Sequence, residues 1–224
     1  MWKRVNNQIV SGKHTFDCCD VDIGLPDGRT LLGYNNWFIR DILPLWEQQG
    51  VVELLQGRVE SYCEIGVNAG MSFFWVLQHI VKLNGKAVGI DPYRPHSRNR
   101  VSVGLQIAGE LVEQNAAIVG LKNFKLIREP STKALMEMNL NPTVEFDFSY
   151  IDGDHYGPTA LQDMMLVWSL MADGGIMIVD DFNRQFLRGA KLVRPAAMAF
   201  FDVYSNQIEP LFMTQRQIGF IKRG

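Results

Sequence analysis

The sequence is short of the features that most quickly assign a protein. Three cysteines occur in the chain: Cys18 and Cys19 are adjacent, and Cys63 stands inside an apolar run. That is no disulfide framework, and without a His or Cys pair at ligand spacing it is no zinc site. Reduced thiols are expected, with Cys63 in the core. No uninterrupted apolar run approaches the ~20 residues that a membrane helix needs. The opening residues, MWKRVNNQIVSGKH, hold no apolar stretch of signal-peptide length. The expectation is a cytoplasmic protein with no membrane partner. A formal net charge of −2 leaves no global attraction to nucleic acid, so none is expected as a partner.

What is present suits one α/β domain. The chain has 224 residues, 47% of them hydrophobic and 21% charged, enough for a sizeable core. From residue 61 onward short apolar runs alternate with longer stretches of helical period. SYCEIG, KAVGID, NFKLIR, EFDFSYID and GGIMIVDD read as strands bounded by turn residues. MSFFWVLQHIVKLN, VSVGLQIAGELVEQNAAIVG, STKALMEM and PTALQDMMLVWSLMA read as helices. Such alternation predicts right-handed crossovers and a parallel sheet. After a further helix near GAKLVRPAAMAFFDVYS come IEPLFM and QIGFIKR, separated by only TQR. So short a link suits an antiparallel hairpin at the sheet edge. The predicted fold is therefore α/β, Rossmann-like and doubly wound, a mostly parallel seven-stranded sheet with a C-terminal antiparallel hairpin.

Residues 1–60 fit this alternation poorly and are expected to form an N-terminal extension to a domain of residues 61–224. NNWFIRDILPLWEQQGVVELLQG looks helical with an interruption at Pro44, and DVDIGLPDGRT reads as loop or hairpin. The extension carries large apolar residues, which makes it a cap or a homo-oligomer contact. Trp37, Phe38, Trp46, Phe73, Phe74 and Trp75 read mainly as core, with a substrate pocket as the other use.

In an open parallel sheet, ligands bind beyond the carboxyl ends of the strands. The ends here read Glu64, Asp91, Arg128, Asp152 and Asp180-Asp181, and four of the five are acidic. Each alone can be a turn former. Together, two like charges ~4 Å apart at an effective dielectric near 20 repel by roughly 4 kcal/mol, so the set calls for a cation, a positively charged ligand or protons. CEIGVNAG places Gly66 and Gly70 at the mouth of a helix, where the backbone can approach a ligand. The spacing is G-x-x-x-G, not the G-x-G-x-x-G of dinucleotide enzymes. Asp91 ends the second strand, where an acid can accept hydrogen bonds from both ribose hydroxyls. Nothing nearby offers a pyrophosphate cradle, so a nucleoside without phosphates fits better.

EIGVNAG, GIDPY, FSYIDGDHY and GGIMIVDDF, in this order, resemble the class I S-adenosylmethionine-dependent methyltransferases across roughly residues 61–222. The pairing of IDGDH with VDDF resembles the metal-dependent O-methyltransferase branch. It is closer to the macrocin type than to the catechol type, which usually has Asp-Asn where this chain has Asp180-Asp181. The resemblance implies S-adenosylmethionine held at the Gly66–Gly70 turn, with Asn68 and Ser72 in the same segment and Glu64 near the ammonium group. It implies Asp91 on the ribose, Glu129 and Ser131 beside the adenine, and Asp152 within the cofactor's reach. It also implies Asp152, Asp180 and Asp181 as ligands of Mg²⁺ or another divalent cation. Three carboxylates without a thiolate suit such a hard ion.

The implied reaction is methyl transfer to a hydroxyl of a small molecule: a sugar, polyketide or phenol. It needs the acceptor oxygen ~3 Å from the methyl carbon and a base for its proton. Asp154 is the first choice of base, from the macrocin-type pattern. His155 is the second, its other reading being a turn residue ahead of Pro158. Arg94, His96, Arg98 and Arg100 form either a solvated loop or a guide for an anionic substrate. An NAD(P)-dependent oxidoreductase and a non-catalytic S-adenosylmethionine-binding domain are the competing readings.

Overall fold

The computed structural model describes residues 3–5, 8–11, 14–17, 19–33, 35–93, 102–183 and 192–224. Its first strands are β1 (Lys3–Val5), β2 (Gln8–Ser11), β3 (His14–Asp17), β4 (Cys19–Val21) and β5 (Leu31–Gly33). A π-helical turn, Phe38–Ile42, runs into α1 (Leu43–Gln48), and α2 (Val51–Leu55) follows. Then come β6 (Ser61–Ile65), α3 (Met71–His79), β7 (Lys86–Ile90), α4 (Ser102–Val119), β8 (Phe124–Ile127) and α5 (Ser131–Leu140). The chain continues through β9 (Phe146–Ile151), α6 (Gly157–Trp168), β10 (Met171–Val179), α7 (Val193–Val203), β11 (Ile208–Met213) and β12 (Ile218–Lys222). Among the described residues no helix is long and apolar enough to cross a membrane.

The chain divides into two compact units, and the division is not a cut at residue 60. The first unit comprises Met1–Gln56, Val67–Ile80 and Tyr93–Lys122. The N-terminal residues therefore share a unit with α3 and α4. In it β1, β2 and β3 form an antiparallel meander. β4 and β5 pair antiparallel in the register Cys19↔Gly33 to Val21↔Leu31, so DVDIGLPDGRT holds the end of β4 and the connection of a hairpin. Pro44 does not stop its helix. It sits in the first turn of α1, where the missing N–H costs no intrahelical hydrogen bond.

The aromatic residues here are core. Phe38, Trp46, Phe73, Phe74 and Trp75 are buried, and Trp37 is 51% exposed. Phe38 packs edge-on against Trp46 and tilted against Trp75, with centroids 5.4 and 5.6 Å apart. Asn115 of α4 is fully buried. Its Oδ1 accepts from Leu32 N at 2.7 Å, and its Nδ2 donates to Leu32 O at 2.9 Å and Ala69 O at 2.8 Å. One side chain thus pairs with both backbone groups of Leu32, as a neighbouring strand would.

The second unit comprises Gly57–Gly66, Val81–Pro92 and Asn123–Gly224. It holds a seven-stranded sheet in the order β11-β12-β10-β9-β6-β7-β8. The five strands from β10 to β8 are parallel. β12 pairs antiparallel with β10, and β11 with β12. This is the predicted Rossmann-like sheet with its C-terminal hairpin. A core of Ile65, Phe146, Met164, Trp168, Phe200 and Phe220, among others, joins the sheet to α5, α6 and α7. One boundary differs from the sequence reading. Helical period suggests that α6 runs to Ala172, but β10 already begins at Met171, which pairs with Phe146 ahead of an irregularity in the register. Gly174, at φ +77°, supplies the left-handed residue the bulge requires.

Substituting Asn115 by Ala should lower unfolding stability by about 3 kcal/mol, because Leu32 and Ala69 are left with buried unpaired backbone groups. Chemical denaturation measures it, and a change below about 0.5 kcal/mol would mean water replaces the amide.

Candidate active site

The parallel ladder fixes where the acids lie. β6 is the strand from which the chain proceeds to β7 and β8 on one side and later to β9 and β10 on the other, so the switch point lies between β6 and β9. Just beyond the strands, each acid is held by its own backbone amide. Asp91 N donates to Ile127 O at 3.1 Å, Asp152 N to Ile65 O at 2.8 Å and Asp180 N to Ile151 O at 2.9 Å. Gly66 follows β6 with φ +90°, and an added Cβ would lie 1.9 Å from the carbonyl oxygen of Asp152. Only glycine fits this close approach.

Glu64 is fully buried and Asp91 is 6% exposed. The Tyr62 hydroxyl donates to Glu64 Oε2. The two residues stand on the same face of β6, as the two-residue period of a strand requires. Burial, and then the Glu64 charge, push the Tyr62 phenol well above its ordinary range; it stays a donor. A buried carboxylate is costly without such partners and attracts a cationic group.

Asp152, His155 and Asp181 converge, with one potential ligand atom from each lying within 4.8 Å of the others. His155 Nε2 is 2.7 Å from Asp181 Oδ2 and 3.9 Å from Asp152 Oδ1. Asp181 has φ +54°, an uncommon conformation for a non-glycine residue, reached where the chain turns sharply after β10. Burial alone would lower the His155 pKa, but the hydrogen bonds and charges of Asp152 and Asp181 outweigh it and push it up to about 10. Asp180, expected as a ligand with Asp152 and Asp181, lies beside this group and is not one of the three. Burial, then Asp152 and Asp181, raise its pKa well above the carboxylate range, while its Oδ1 accepts from Gln217 Nε2 at 2.7 Å.

The remaining expected residues divide. Asp154 faces the start of α6: its Oδ1 accepts from Tyr156 N and its Oδ2 from Thr159 Oγ1, each at 3.3 Å. The geometry thus brings His155, not Asp154, into the acid cluster. Glu129, two residues ahead of α5, pairs with Lys133 at 3.1 Å, and Ser131 begins the helix. In the first unit, Asn68 has φ +52° and Gly70 +88°, and Ser72 lies in the first turn of α3. Arg94, His96, Arg98 and Arg100 lie outside the described residues. Sequence reasoning missed Tyr62, although its place two residues before Glu64 was a legible signal. It also missed Asp163, a buried acid of α6 whose pKa burial raises to about 7, and Gln217, whose place required the hairpin register.

Strand order, switch point and acids define the class I methyltransferase fold. Residues 63–182 match the family model described as a methyltransferase domain. The chain belongs to this family: it is a class I, S-adenosylmethionine-dependent methyltransferase. No curated protein matches the sequence. Among solved structures, an O-methyltransferase from Bacillus cereus in complex with S-adenosylhomocysteine is 14% identical, with a TM-score of 0.58 over 84% of this chain and 92% of that one. The O-methyltransferase TomG from Streptomyces achromogenes, involved in tomaymycin synthesis and solved with S-adenosylmethionine, is 14% identical, with a TM-score of 0.58 over 80% of each chain. MycE of the mycinamycin pathway, solved with Mg, S-adenosylhomocysteine and mycinamycin VI, is 13% identical, with a TM-score of 0.59 over 85% of this chain and 50% of that one.

His155 holds its proton more tightly folded than unfolded, since its pKa of about 10 exceeds the ordinary 6.5. The stability this contributes is fully present below pH 6.5 and is lost as pH rises through about 10. The metal-free melting temperature should therefore fall over that window, and more steeply in wild type than in His155→Gln. Parallel pH profiles for the two proteins would refute the ion pairs.

Proposed function

We propose that this methyltransferase transfers a methyl group from S-adenosylmethionine to a hydroxyl of a small molecule, a sugar, polyketide or phenol, with a divalent cation, Mg²⁺ first, assisting. The carrying observation is the row of acids at the carboxyl ends of four consecutive strands, β10, β9, β6 and β7. The O-methyltransferase neighbours, one of them solved with Mg, support the reading.

The residues present fit both groups. Glu64, buried and held by Tyr62, offers a fixed negative charge for the ammonium of the cofactor's methionine end. Gly66 presents backbone without a side chain. Asp91, buried at the end of β7, is placed to accept from ribose hydroxyls, and Glu129 and Ser131 are the residues assigned to the adenine. Asp152, Asp180 and Asp181 would hold the cation, which when bound supplies orientation and a lowered pKa to the acceptor hydroxyl.

His155 is the base in this reading. Its side chain is 35% exposed, so it reaches the face from which an acceptor enters, whereas both oxygens of Asp154 are engaged at α6. A cation held by Asp152, Asp180 and Asp181 would offset the carboxylate charges, and the neutral imidazole of His155 would take the proton of the acceptor hydroxyl. Asp154 orders the loop that carries His155.

Calorimetry should show binding of S-adenosylmethionine and S-adenosylhomocysteine. Asp91→Ala should weaken it by about 1–3 kcal/mol, the cost of stranding buried polar groups. Unchanged affinity would remove Asp91 from the site.

Millimolar Mg²⁺ or Mn²⁺ should raise the melting temperature by mass action on the folded state, and Asp180→Asn should reduce the rise. His155→Gln should keep most of it while losing turnover. Loss of the rise in His155→Gln would make the histidine a ligand instead of the base. No rise in wild type with any divalent ion would remove the metal.

A further inference from the structure

The ladder that positions Asp180 also names the residue facing it. β10 and β12 pair antiparallel with Val179 opposite Ile218. Continuing that register by one residue places Asp180 opposite Gln217, which precedes β12. Gln217 is fully buried. Its Nε2 donates to Asp180 Oδ1 at 2.7 Å and to the Tyr150 hydroxyl at 3.2 Å. A primary amide has two N–H groups on this nitrogen, and each has a partner. Burial raises the Tyr150 phenol well above its ordinary range.

The turn carrying Gln217 is itself fixed. Thr214 N donates to Gln217 O at 2.8 Å, and Thr214 Oγ1 accepts from Gln217 N at 3.0 Å and from Arg216 N at 3.2 Å. The same turn grips the segment following Asp180: Phe182 N donates to Arg216 O at 2.8 Å, and Asn183 Nδ2 to Gln215 Oε1 at 2.6 Å. The Asp180–Asn183 segment is thus held to the hairpin by main-chain and side-chain bonds on both sides of Asp181.

We infer that Gln217 is the positioning residue for Asp180 in the metal site, and that the Thr214–Gln217 turn sets the geometry of the Asp180-Asp181 pair. The inference rests on the metal reading above. Gln217 fixes one oxygen of Asp180, and with it the rotation of the carboxyl group, which the Asp181 amide also donates to. Groups that orient metal ligands in this way commonly alter metal affinity ~10–100-fold when removed. A glutamine is suited to the task because it donates without adding charge beside acids that already repel one another.

The test is Mn²⁺ affinity by electron paramagnetic resonance, alongside S-adenosylhomocysteine affinity by calorimetry. Gln217→Met keeps the volume and removes both donors. Its Mn²⁺ affinity should fall at least ~10-fold, with S-adenosylhomocysteine affinity within about twofold. In an Asp180→Asn background the same substitution should have no further effect on Mn²⁺ affinity, because the route through Asp180 is already broken. An undiminished further loss there, or parallel losses of both ligands, would mean a purely structural role and overturn the inference. Wild-type Mn²⁺ affinity in Gln217→Met would overturn it while leaving the metal reading intact. Absence of Mn²⁺ binding in wild type would overturn both. Should Gln217→Met fail to fold, the Gln217 side-chain amide resonance of wild type decides. It should shift on adding Mg²⁺, and should not shift in Asp180→Asn; an unmoved wild-type resonance refutes the coupling.

Discussion

Everything at the site depends on the hydrogen-bond register of β6, β9 and β10. Parallel strands pair in a fixed stagger, so the residues that follow them emerge side by side at one edge. The ladder continues one residue past the strands, through the amides of Asp91, Asp152 and Asp180. Each acid is therefore anchored by its own backbone before its side chain finds a partner. Gly66 completes the arrangement by letting the ends of β6 and β9 close to a distance that a Cβ would forbid.

Such anchoring holds carboxylates close together against their repulsion, and the structure shows the response. Glu64 is met by a phenol that stays protonated. Asp180 is met by a neutral amide and has a raised pKa. Asp152 and Asp181 share an imidazolium whose proton they bind far above its ordinary range. Each partner supplies a proton or a positive charge to the acid it meets, and none adds a further negative one. In the proposed function these charges are the ones that the cofactor's methionine end and a divalent cation would meet.

The fold was largely legible because its signals are local. Apolar runs bounded by turn residues marked the strands, a three-residue link marked the hairpin, and the strand-end acids could be named one by one. Where local signals compete, the reading slipped. Ala172 continues the period of α6, yet the segment from Met171 onward gains more by pairing with Phe146. Residues 1–60 look like an appendage because their short strands carry little periodicity, while Met1–Gln56 share one unit with α3 and α4, joined through groups such as Asn115.

The sequence by itself determined the class of sheet, the positions of the acids and the family they mark, since these follow from residue type and spacing along one dimension. Which acids meet was left to the tertiary structure. Asp154 and His155 are neighbours in sequence, but the turn into α6 sends the first to the helix start and the second toward Asp181. Gln217 is 37 residues from Asp180, and nothing in either residue announces the other. Only the antiparallel pairing of β10 with β12 brings them together, because a register is a property of two strands and not of one.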